Sequence, residues 1–449
     1  MKRLLVLLIL AGLLRAVMLW AVVQYPDRAI RRDSEEYILV ARNLLAGHGI
    51  SLQHNPPFTP TAFRTPVFPL MIAMIYKVFG INNIAVVLVQ IVISLLTVGL
   101  TYWLGRLLFS ESEAWSGALL FSLSSAPAVY AVFIWSETLF TLLLLLNLLC
   151  LVFYQERKSA GWLAAAALLA GLMILCRPVA VLFPALIIVL IWLAEPQKWR
   201  KALVRGAAFL IACGLTLSPW ILRNMVQLGT PTISTISSNY LLFYNAASLV
   251  ADQEGISQAQ AYKELETRVG VELAALPGPI TEAVQSKLYS DLGRRIILAH
   301  PFRFIFIHLK EDLNNFLPDV TDFLELMGVT QGAKGTLSVL NQYGLIAAID
   351  HYFAGKTWLI AFVSPWIVLL GWIYLTDLSG IYTLIKRKHW FGLALLSLPV
   401  LYFMLMPGAS SNPRFRVPVM PYLCLLGGVG CSQLAAWMNG VLKRRVKGV

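Results

Sequence analysis

The sequence predicts an all-α polytopic membrane protein. Of its 449 residues, 58% are hydrophobic and 13% are charged, whereas about 25% of residues in soluble proteins are charged. Its apolar runs are long enough to cross a hydrocarbon layer of ~30 Å as helices. The alternating polarity of membrane β-strands is absent from the sequence, so helices are the predicted spanning elements.

Ten apolar runs define the predicted spans. A further hairpin within residues 296–356 would raise the number to about twelve. The first run has no small-residue cleavage site after it, which favours an uncleaved span over a signal peptide. For Arg15, which lies inside that run, a structural partner is favoured over a role in a site. The predicted spans are residues 4–23, 84–104, 114–133, 137–154, 161–176, 179–195, 202–221, 357–378, 390–406 and 417–438.

The positions of lysine and arginine predict the orientation of the chain. These residues collect in the segments on one side of the spans, which the positive-inside rule assigns to the cytoplasm together with both termini. Residues 24–83 and 222–356 then lie outside. We divide the chain into a first membrane module (1–222), an extracytoplasmic helical segment (223–356) and C-terminal spans (357–449). The net charge of +13 is explained by topology, so nucleic acid is not an expected partner.

The outer segments contain helical patterns too short or too polar to span. Residues 34–46 place apolar side chains on one face at three- and four-residue spacing, which predicts a helix lying on the bilayer. Residues 67–79 are apolar but short, and predict a second interfacial helix. Further helices are predicted at 258–276 and 281–299, and a surface-lying helix after Pro301, where charged and aromatic residues alternate.

Ionisable groups gather on the outer side, where topology disfavours arginine. At membrane depth each one costs about 2.5–3.5 kcal/mol on insertion scales, so each requires an explanation. A single arginine at a span end is most simply an interfacial anchor, but the set as a whole favours a site. The charged residues of that set are Asp33, Glu36, Arg64, Glu137, Arg177, Arg223, Arg414 and Arg416.

This combination suits transfer of a group from a lipid phosphate. Arginine forks bind phosphate oxygens in pairs, and positive charge stabilises the charge that grows on a departing phosphate. A carboxylate can accept the proton of an attacking hydroxyl. The sequence contains no H-E-x-x-H, P-loop or G-x-S-x-G motif. Its five cysteines lie in or beside apolar runs without C-x-x-C spacing and are interpreted as small hydrophobic residues.

The order of these residues resembles that of the GT-C membrane glycosyltransferases. The similarity is to bacterial relatives of protein O-mannosyltransferase and of the lipid A aminoarabinose transferase. An Asp stands four residues before a Tyr, and a run that ends in glycine follows. A basic residue then precedes prolines. An acidic residue, an R-P turn, an R-N step and a late R-x-x-x-P tract come later in the sequence. The matching residues are Asp33, Tyr37, Ala41 to Gly49, Arg64-Thr65-Pro66, Glu137, Arg177-Pro178, Arg223-Asn224 and Arg414 to Pro418.

The resemblance implies a GT-C helix bundle with extracytoplasmic interfacial helices in the bacterial plasma membrane. It implies a sugar donor on polyprenyl phosphate, a hydroxyl acceptor on a glycan, lipid or protein, and inverting displacement on the extracytoplasmic side. Asp33 would act as base or position the acceptor, supported by Glu137. Phosphate-binding residues would be Arg64, Arg177, Arg414 and Arg416, and substrate-binding residues would be Glu36, Tyr37, Arg223, Asn224, Tyr240 and Asn245.

Several alternatives remain open. A divalent metal held by Asp33 and Glu137 is less favoured than a site without cofactors. Arg64 stands where the aminoarabinose transferases have lysine. The identity of their sugar is therefore not assigned to this chain. A transporter or flippase would place charges near mid-membrane. An O-antigen ligase or polymerase would share outward arginines but would not need the helix that carries Asp33 and Tyr37.

Overall fold

The computed structural model describes residues 2–329, 336–353 and 355–447, and every regular element in these ranges is helical. The helices before residue 230 are α1 (Lys2–Gln24), α2 (Arg32–Leu45), α3 (Val67–Phe79), α4 (Asn83–Leu108), α5 (Glu111–Leu123), α6 (Ser125–Val129), α7 (Glu137–Arg157), α8 (Ala160–Cys176), α9 (Phe183–Ala194) and α10 (Trp199–Leu228).

The remaining helices lie between residues 236 and 447. They are α11 (Ile236–Tyr240), α12 (Ala247–Glu254), α13 (Gln258–Ala274), α14 (Glu282–Ala299), α15 (Pro301–Asp312), α16 (Val320–Leu326), α17 (Thr336–Tyr352), α18 (Ile360–Lys386), α19 (Trp390–Leu405) and α20 (Met420–Lys447). A π-helical turn, Leu241–Ala246, joins α11 to α12. The backbone of α17 is interrupted at Gly344.

Six helices of the described chain are long and apolar enough to cross a membrane, which confirms a multi-pass membrane protein. The predicted spans 161–176, 179–195 and 390–406 correspond to shorter apolar helices. The six long segments are Lys2–Gln24, Asn83–Leu108, Glu137–Arg157, Pro196–Leu228, Thr357–Lys386 and Pro413–Met438.

The predicted span at 114–133 is wrong as a continuous helix. It is divided into α5 and α6 at Ser124, whose backbone is extended. The Ser124 hydroxyl donates to the Leu120 carbonyl (2.8 Å). Pro127 has no N–H with which to continue the α5 ladder. The break sends residues 130–136 into a buried turn that ends where α7 begins.

The helices predicted within residues 24–83 and 222–356 are present. The prediction at 34–46 corresponds to α2, and α3 has the predicted bounds of 67–79. The helices predicted at 258–276 and 281–299 correspond to α13 and α14. After Pro301, α15 forms as predicted.

Buried polar contacts and close packing hold the membrane helices together. Arg15 is fully buried in α1, where Nε donates to Ser94 Oγ on α4 (2.8 Å) and Nη1 donates to the Ala11 carbonyl (3.0 Å). The predicted structural partner of Arg15 is therefore confirmed. Helix α5 packs closely on α20, since a Cβ added to Gly117 would lie 2.7 Å from the Cys424 carbonyl oxygen. This packing fixes α20, which follows the segment carrying Arg414.

Candidate active site

A cavity of about 470 Å³ lies where α2 and α11 meet the start of α7 and the ends of α8 and α19. Its wall combines charged and polar side chains with aliphatic and aromatic ones. The lining residues used below are Asp33, Tyr37, Arg64, Trp135, Ser136, Glu137, Arg177, Val179, Val181, Leu182, Tyr240, Leu241, Asn245, Tyr402, Met406, Pro407, Ser410, Arg414 and Phe415.

Asp33 lies between two arginines in this cavity. Its Oδ1 accepts from Arg64 Nη2 (2.8 Å) and its Oδ2 accepts from Arg414 Nη1 (2.9 Å). Burial acts to raise the pKa of the Asp33 carboxyl, but the charges and hydrogen bonds of Arg414 and Arg64 outweigh it and hold that pKa well below its usual range. Asp33 is also in the first turn of α2, where the helix dipole favours negative charge.

Arg64 is anchored to α2 by three side chains. Besides Asp33, its Nε donates to Glu36 Oε2 (2.6 Å) and its Nη1 donates to the Tyr37 hydroxyl (3.3 Å). These partners lie along one face at the start of α2, because residues three and four apart are neighbours on a helix. The short amphipathic helix predicted from sequence therefore sets the position of this guanidinium.

Glu137 organises the opposite part of the charged wall. It is the first residue of α7, it is buried, and it forms an ion pair with Arg177. Its Oε1 also lies 3.6 Å from Arg414 Nε. Arg414 therefore bridges Asp33 and Glu137.

We call Asp33, Glu36, Glu137, Arg64, Arg177 and Arg414 the ionic cluster. It contains three carboxylates and three guanidiniums, so its formal charges balance. Each guanidinium is already engaged by a carboxylate of the protein. An incoming anion must compete for these arginines, and a carboxylate that loses its partner becomes a stronger base.

The structure brings together most of the residues predicted from the sequence. Glu36 reaches the cavity through Arg64. The predicted residues that line the cavity are Asp33, Tyr37, Arg64, Glu137, Arg177, Tyr240, Asn245 and Arg414.

Four predicted residues do not line the cavity, and one of them is Glu36. Arg223 donates to the carbonyls of Thr61 (2.8 Å) and Ile50 (3.3 Å), and Asn224 donates to the Thr232 carbonyl (2.7 Å). Both side chains therefore fix loops beside the site.

Arg416 is buried on a different side of its segment from Arg414. It donates to the carbonyls of Asn315 (2.9 Å) and Leu317 (2.5 Å). Arg414 and Arg416 stand two residues apart in a 3₁₀ helix, Pro413–Val419, in which that spacing rotates a side chain by about 240°. Of these two arginines, only Arg414 therefore reaches the cavity.

Trp135, Phe415 and the aliphatic lining residues were not predicted from the sequence. The Arg414 guanidinium lies 4.9 Å from the Trp135 ring centroid, and Arg177 lies 5.5 Å from that of Phe415, within the range of cation–π attraction. Trp135 directly precedes Ser136-Glu137, and Phe415 directly follows Arg414. Their closeness in sequence to the predicted residues Glu137 and Arg414 was therefore the signal that could have identified them. Val179, Val181, Leu182, Leu241 and Met406 supply apolar wall.

The two carboxylates that could hold a metal ion are already paired with basic side chains. Asp33 and Glu137 are each engaged by guanidinium groups. Among the described residues, no group of three or more His, Cys, Asp or Glu side chains is arranged to hold a metal ion.

The fold is similar to that of solved membrane glycosyltransferases. For the archaeal oligosaccharyltransferase AglB from Archaeoglobus fulgidus, a complex with an inhibitory peptide and a dolichol-phosphate matches with a TM-score of 0.51 and 13% identity, over 99% of this chain and 51% of that one. The apo form of the A. fulgidus oligosaccharyltransferase matches with a TM-score of 0.52 and 12% identity, over 99% and 52%.

A third structure is ArnT from Cupriavidus metallidurans bound to undecaprenyl phosphate, with a TM-score of 0.47 and 14% identity, over 98% of this chain and 62% of that one. The chain thus spans between about half and three-fifths of the length of these proteins. No curated protein matches the sequence.

The architecture of this chain is therefore the GT-C fold of membrane glycosyltransferases, which confirms the predicted fold class. Within it, residues 63–222 match the family of dolichyl-phosphate-mannose-protein mannosyltransferases. The matched range covers a little over a third of the chain. It contains Arg64, Glu137 and Arg177, whereas Asp33 and Arg414 lie outside it.

Proposed function

We propose that this protein is an integral-membrane glycosyltransferase that moves a sugar from a polyprenyl phosphate to a hydroxyl acceptor. The observation that carries the proposal is the position of Asp33 between Arg64 and Arg414 in a cavity with apolar wall. The dolichol-phosphate in the AglB complex supports a lipid phosphate as the donor class. The distribution of positive charge favours an extracytoplasmic site in the bacterial plasma membrane, with both termini in the cytoplasm.

The donor phosphate would bind to Arg64, Arg177 and Arg414. Arginine offers paired N–H donors that match two phosphate oxygens. The phosphate would displace part of the internal pairing of the ionic cluster. The first isoprene units would lie along Val179, Val181 and Leu182, where burial of apolar area contributes about 25 cal/mol per Å².

Phosphate binding would also activate Asp33. While Asp33 is held by two guanidiniums, its low pKa makes it a weak base. A phosphate that takes over Arg64 and Arg414 leaves the buried carboxylate with less positive charge nearby, so its pKa rises. The donor thereby prepares the base that acts on the acceptor.

The transfer step is a direct displacement with inversion. The Asp33 carboxylate accepts the proton of the acceptor hydroxyl, and the hydroxyl oxygen forms a bond to the anomeric carbon. The bond from that carbon to the phosphate oxygen breaks, and its electron pair leaves with the phosphate. Arg64, Arg177 and Arg414 stabilise the charge on the departing group.

The other predicted residues take supporting roles in this proposal. Glu137 orients Arg177 and Arg414, and Glu36 orients Arg64. Tyr37, Tyr240 and Asn245 offer hydroxyl and amide groups to the sugar or the acceptor. Arg223, Asn224 and Arg416 position loops instead of contacting substrate. No cofactor is required.

The test compares the cell-envelope glycans of cells that lack the protein, cells that produce it and cells that produce the D33N variant. Mass spectrometry should find one hexose or pentose modification only in cells with the native protein. In parallel, purified protein in nanodiscs should bind undecaprenyl phosphate. Identical glycans in all three strains, together with no binding of the lipid, would overturn the proposal.

A further inference from the structure

The loop from Pro407 to Asn412 connects α19 with the 3₁₀ helix that carries Arg414. Pro407 and Ser410 of this loop line the cavity. Gly408 has a left-handed backbone conformation (φ 55°), and a Cβ at this position would lie 3.0 Å from Asn245 Oδ1. The loop is thus closely packed against the cavity wall, although only a short 3₁₀ turn, Gly408–Ser410, lies within it.

Asp312, the last residue of α15, binds this loop directly. Its Oδ1 accepts from the Gly408 N–H (2.8 Å) and from the Ser411 hydroxyl (2.8 Å). Its side chain is 1% exposed. Hydrogen bonds to a charged acceptor are stronger than those between neutral groups, so one buried carboxylate fixes two points of the loop.

Asn315 fixes both ends of the same loop. Its Nδ2 donates to the Met404 carbonyl (2.8 Å) at the end of α19 and to Ser411 Oγ (3.1 Å). Its Oδ1 accepts from the Asn412 N–H (3.0 Å). Asn315 is fully buried, so water does not replace these bonds.

The side chains of His308 and Arg416 add further contacts to this region. His308 Nε2 lies 3.0 Å from the Leu405 carbonyl and 3.3 Å from Asp312 Oδ2. Arg416 donates to the backbone carbonyls of Asn315 and Leu317. The segment that carries Arg414 is therefore held on both sides, and the Arg414 side chain extends from it to Asp33.

We propose that Asp312 and Asn315 are positioning residues that hold the Pro407–Asn412 loop so that Arg414 is presented to the donor phosphate. This inference rests on the proposed function. It assigns to the extracytoplasmic segment 301–316 a role in donor binding, although neither Asp312 nor Asn315 lines the cavity. Their effect is transmitted through the loop backbone to one guanidinium.

The first test measures the loop without any donor. A cysteine in place of Ser410 is labelled with a water-soluble maleimide in a C431S background, in which the partly exposed native cysteine is removed. Replacement D312A should raise the labelling rate about tenfold, because two hydrogen bonds to a charged acceptor are lost. The control is D252N, which removes an exposed carboxylate that binds Arg303 away from the loop. An unchanged rate in D312A overturns the positioning role.

The second test measures binding of undecaprenyl phosphate to protein in nanodiscs. D312A should weaken binding about tenfold in the native background and have no further effect in the R414A background, since residues that act as a unit are not additive. Equal effects in both backgrounds overturn the connection to Arg414. N315A serves as a second variant if D312A does not fold. Native protein that binds no lipid phosphate refutes the proposed function, while the labelling result still decides whether the loop is held.

Discussion

Arg414 Nη1 lies 2.9 Å from Asp33 Oδ2. This contact joins two residues that are 381 positions apart in the chain. The same guanidinium lies 3.6 Å from Glu137 Oε1 through its Nε. One side chain therefore connects α2, the start of α7 and the 3₁₀ helix before α20. Because the carboxylates of the cavity already bind its arginines, the formal charges of the site balance before substrate binds. An anion that enters the cavity changes this balance and competes for the arginines.

Replacing Asp33 by Asn should abolish sugar transfer. The amide has nearly the same size but cannot accept the acceptor proton, and loss of a general base lowers rates about 10²- to 10⁴-fold. Transfer from polyprenyl-phosphate sugar is measured in proteoliposomes, with size-exclusion profiles to verify folding. D27N is the matched control, because Asp27 is an exposed carboxylate near the start of the same outer segment. Full activity of D33N would contradict the assignment.

Replacing Arg414 or Arg177 by Ala should weaken binding of undecaprenyl phosphate. Each variant loses charge-assisted hydrogen bonds to the phosphate, which are worth about 1.5–3 kcal/mol, so affinity should fall about 10- to 100-fold. Binding is measured on protein in nanodiscs of neutral lipid. R303A provides a comparison, since Arg303 is half-exposed and pairs with Asp252. If all three variants bind as tightly as the native protein, the cavity arginines are interfacial anchors only.

The pH dependence of stability should report the low pKa of Asp33. A carboxyl whose folded-state pKa is depressed contributes stability above its unfolded pKa of about 3.9, and this contribution is lost as pH falls through the folded value. The difference in melting temperature between native protein and D33N should therefore be constant between about pH 8 and pH 5 and shrink below about pH 4. Thermal scans in detergent at several pH values measure it. A difference that already shrinks between pH 7 and pH 5 would show that Asp33 titrates higher.

The sequence was sufficient to predict most of the charged wall because membrane topology restricts where an ionisable group is tolerated. Asp33, Glu137, Arg177 and Arg414 were assigned to one face from the positions of the apolar runs and of the lysines and arginines between them. The direction in which a side chain points from its segment was not predictable in the same way. Arg416 was grouped with Arg414, but a two-residue step in a 3₁₀ helix turns it away.

Contacts over long sequence separations were beyond sequence reasoning. Nothing near Asp312 or Asn315 indicates the loop at 407–412, because their partners lie 89 to 99 positions later in the chain. The break at Ser124 was also missed. Residues 114–133 carry no charge and are mostly apolar, so hydropathy favoured one helix, whereas a backbone-bonded serine and Pro127 ended it.

Helix α15 carries an apolar stripe that should face lipid. Within it, Phe302, Ile305, Phe306 and Leu309 are 86%, 53%, 71% and 49% exposed, at spacings of three and four residues. Exposed large apolar side chains at helical spacing, with basic residues beside them, are typical of helices that lie in the bilayer interface. His308 of the same helix contacts the end of α19 through the Leu405 carbonyl, so α15 lies next to the end of an apolar helix. We therefore expect α15 to lie on the outer surface of the bilayer.

A fluorescent probe at position 306 tests this placement in the full-length protein. An environment-sensitive dye on F306C in nanodiscs should emit at shorter wavelength than on E266C, an exposed position of α13, and should be quenched by brominated lipid. Insertion of apolar side chains below the headgroups brings the dye into a medium of low polarity, whereas a dye on α13 remains in water. Equal emission at the two positions, with no quenching at either, would place α15 away from the membrane and leave its aromatic stripe without lipid contact.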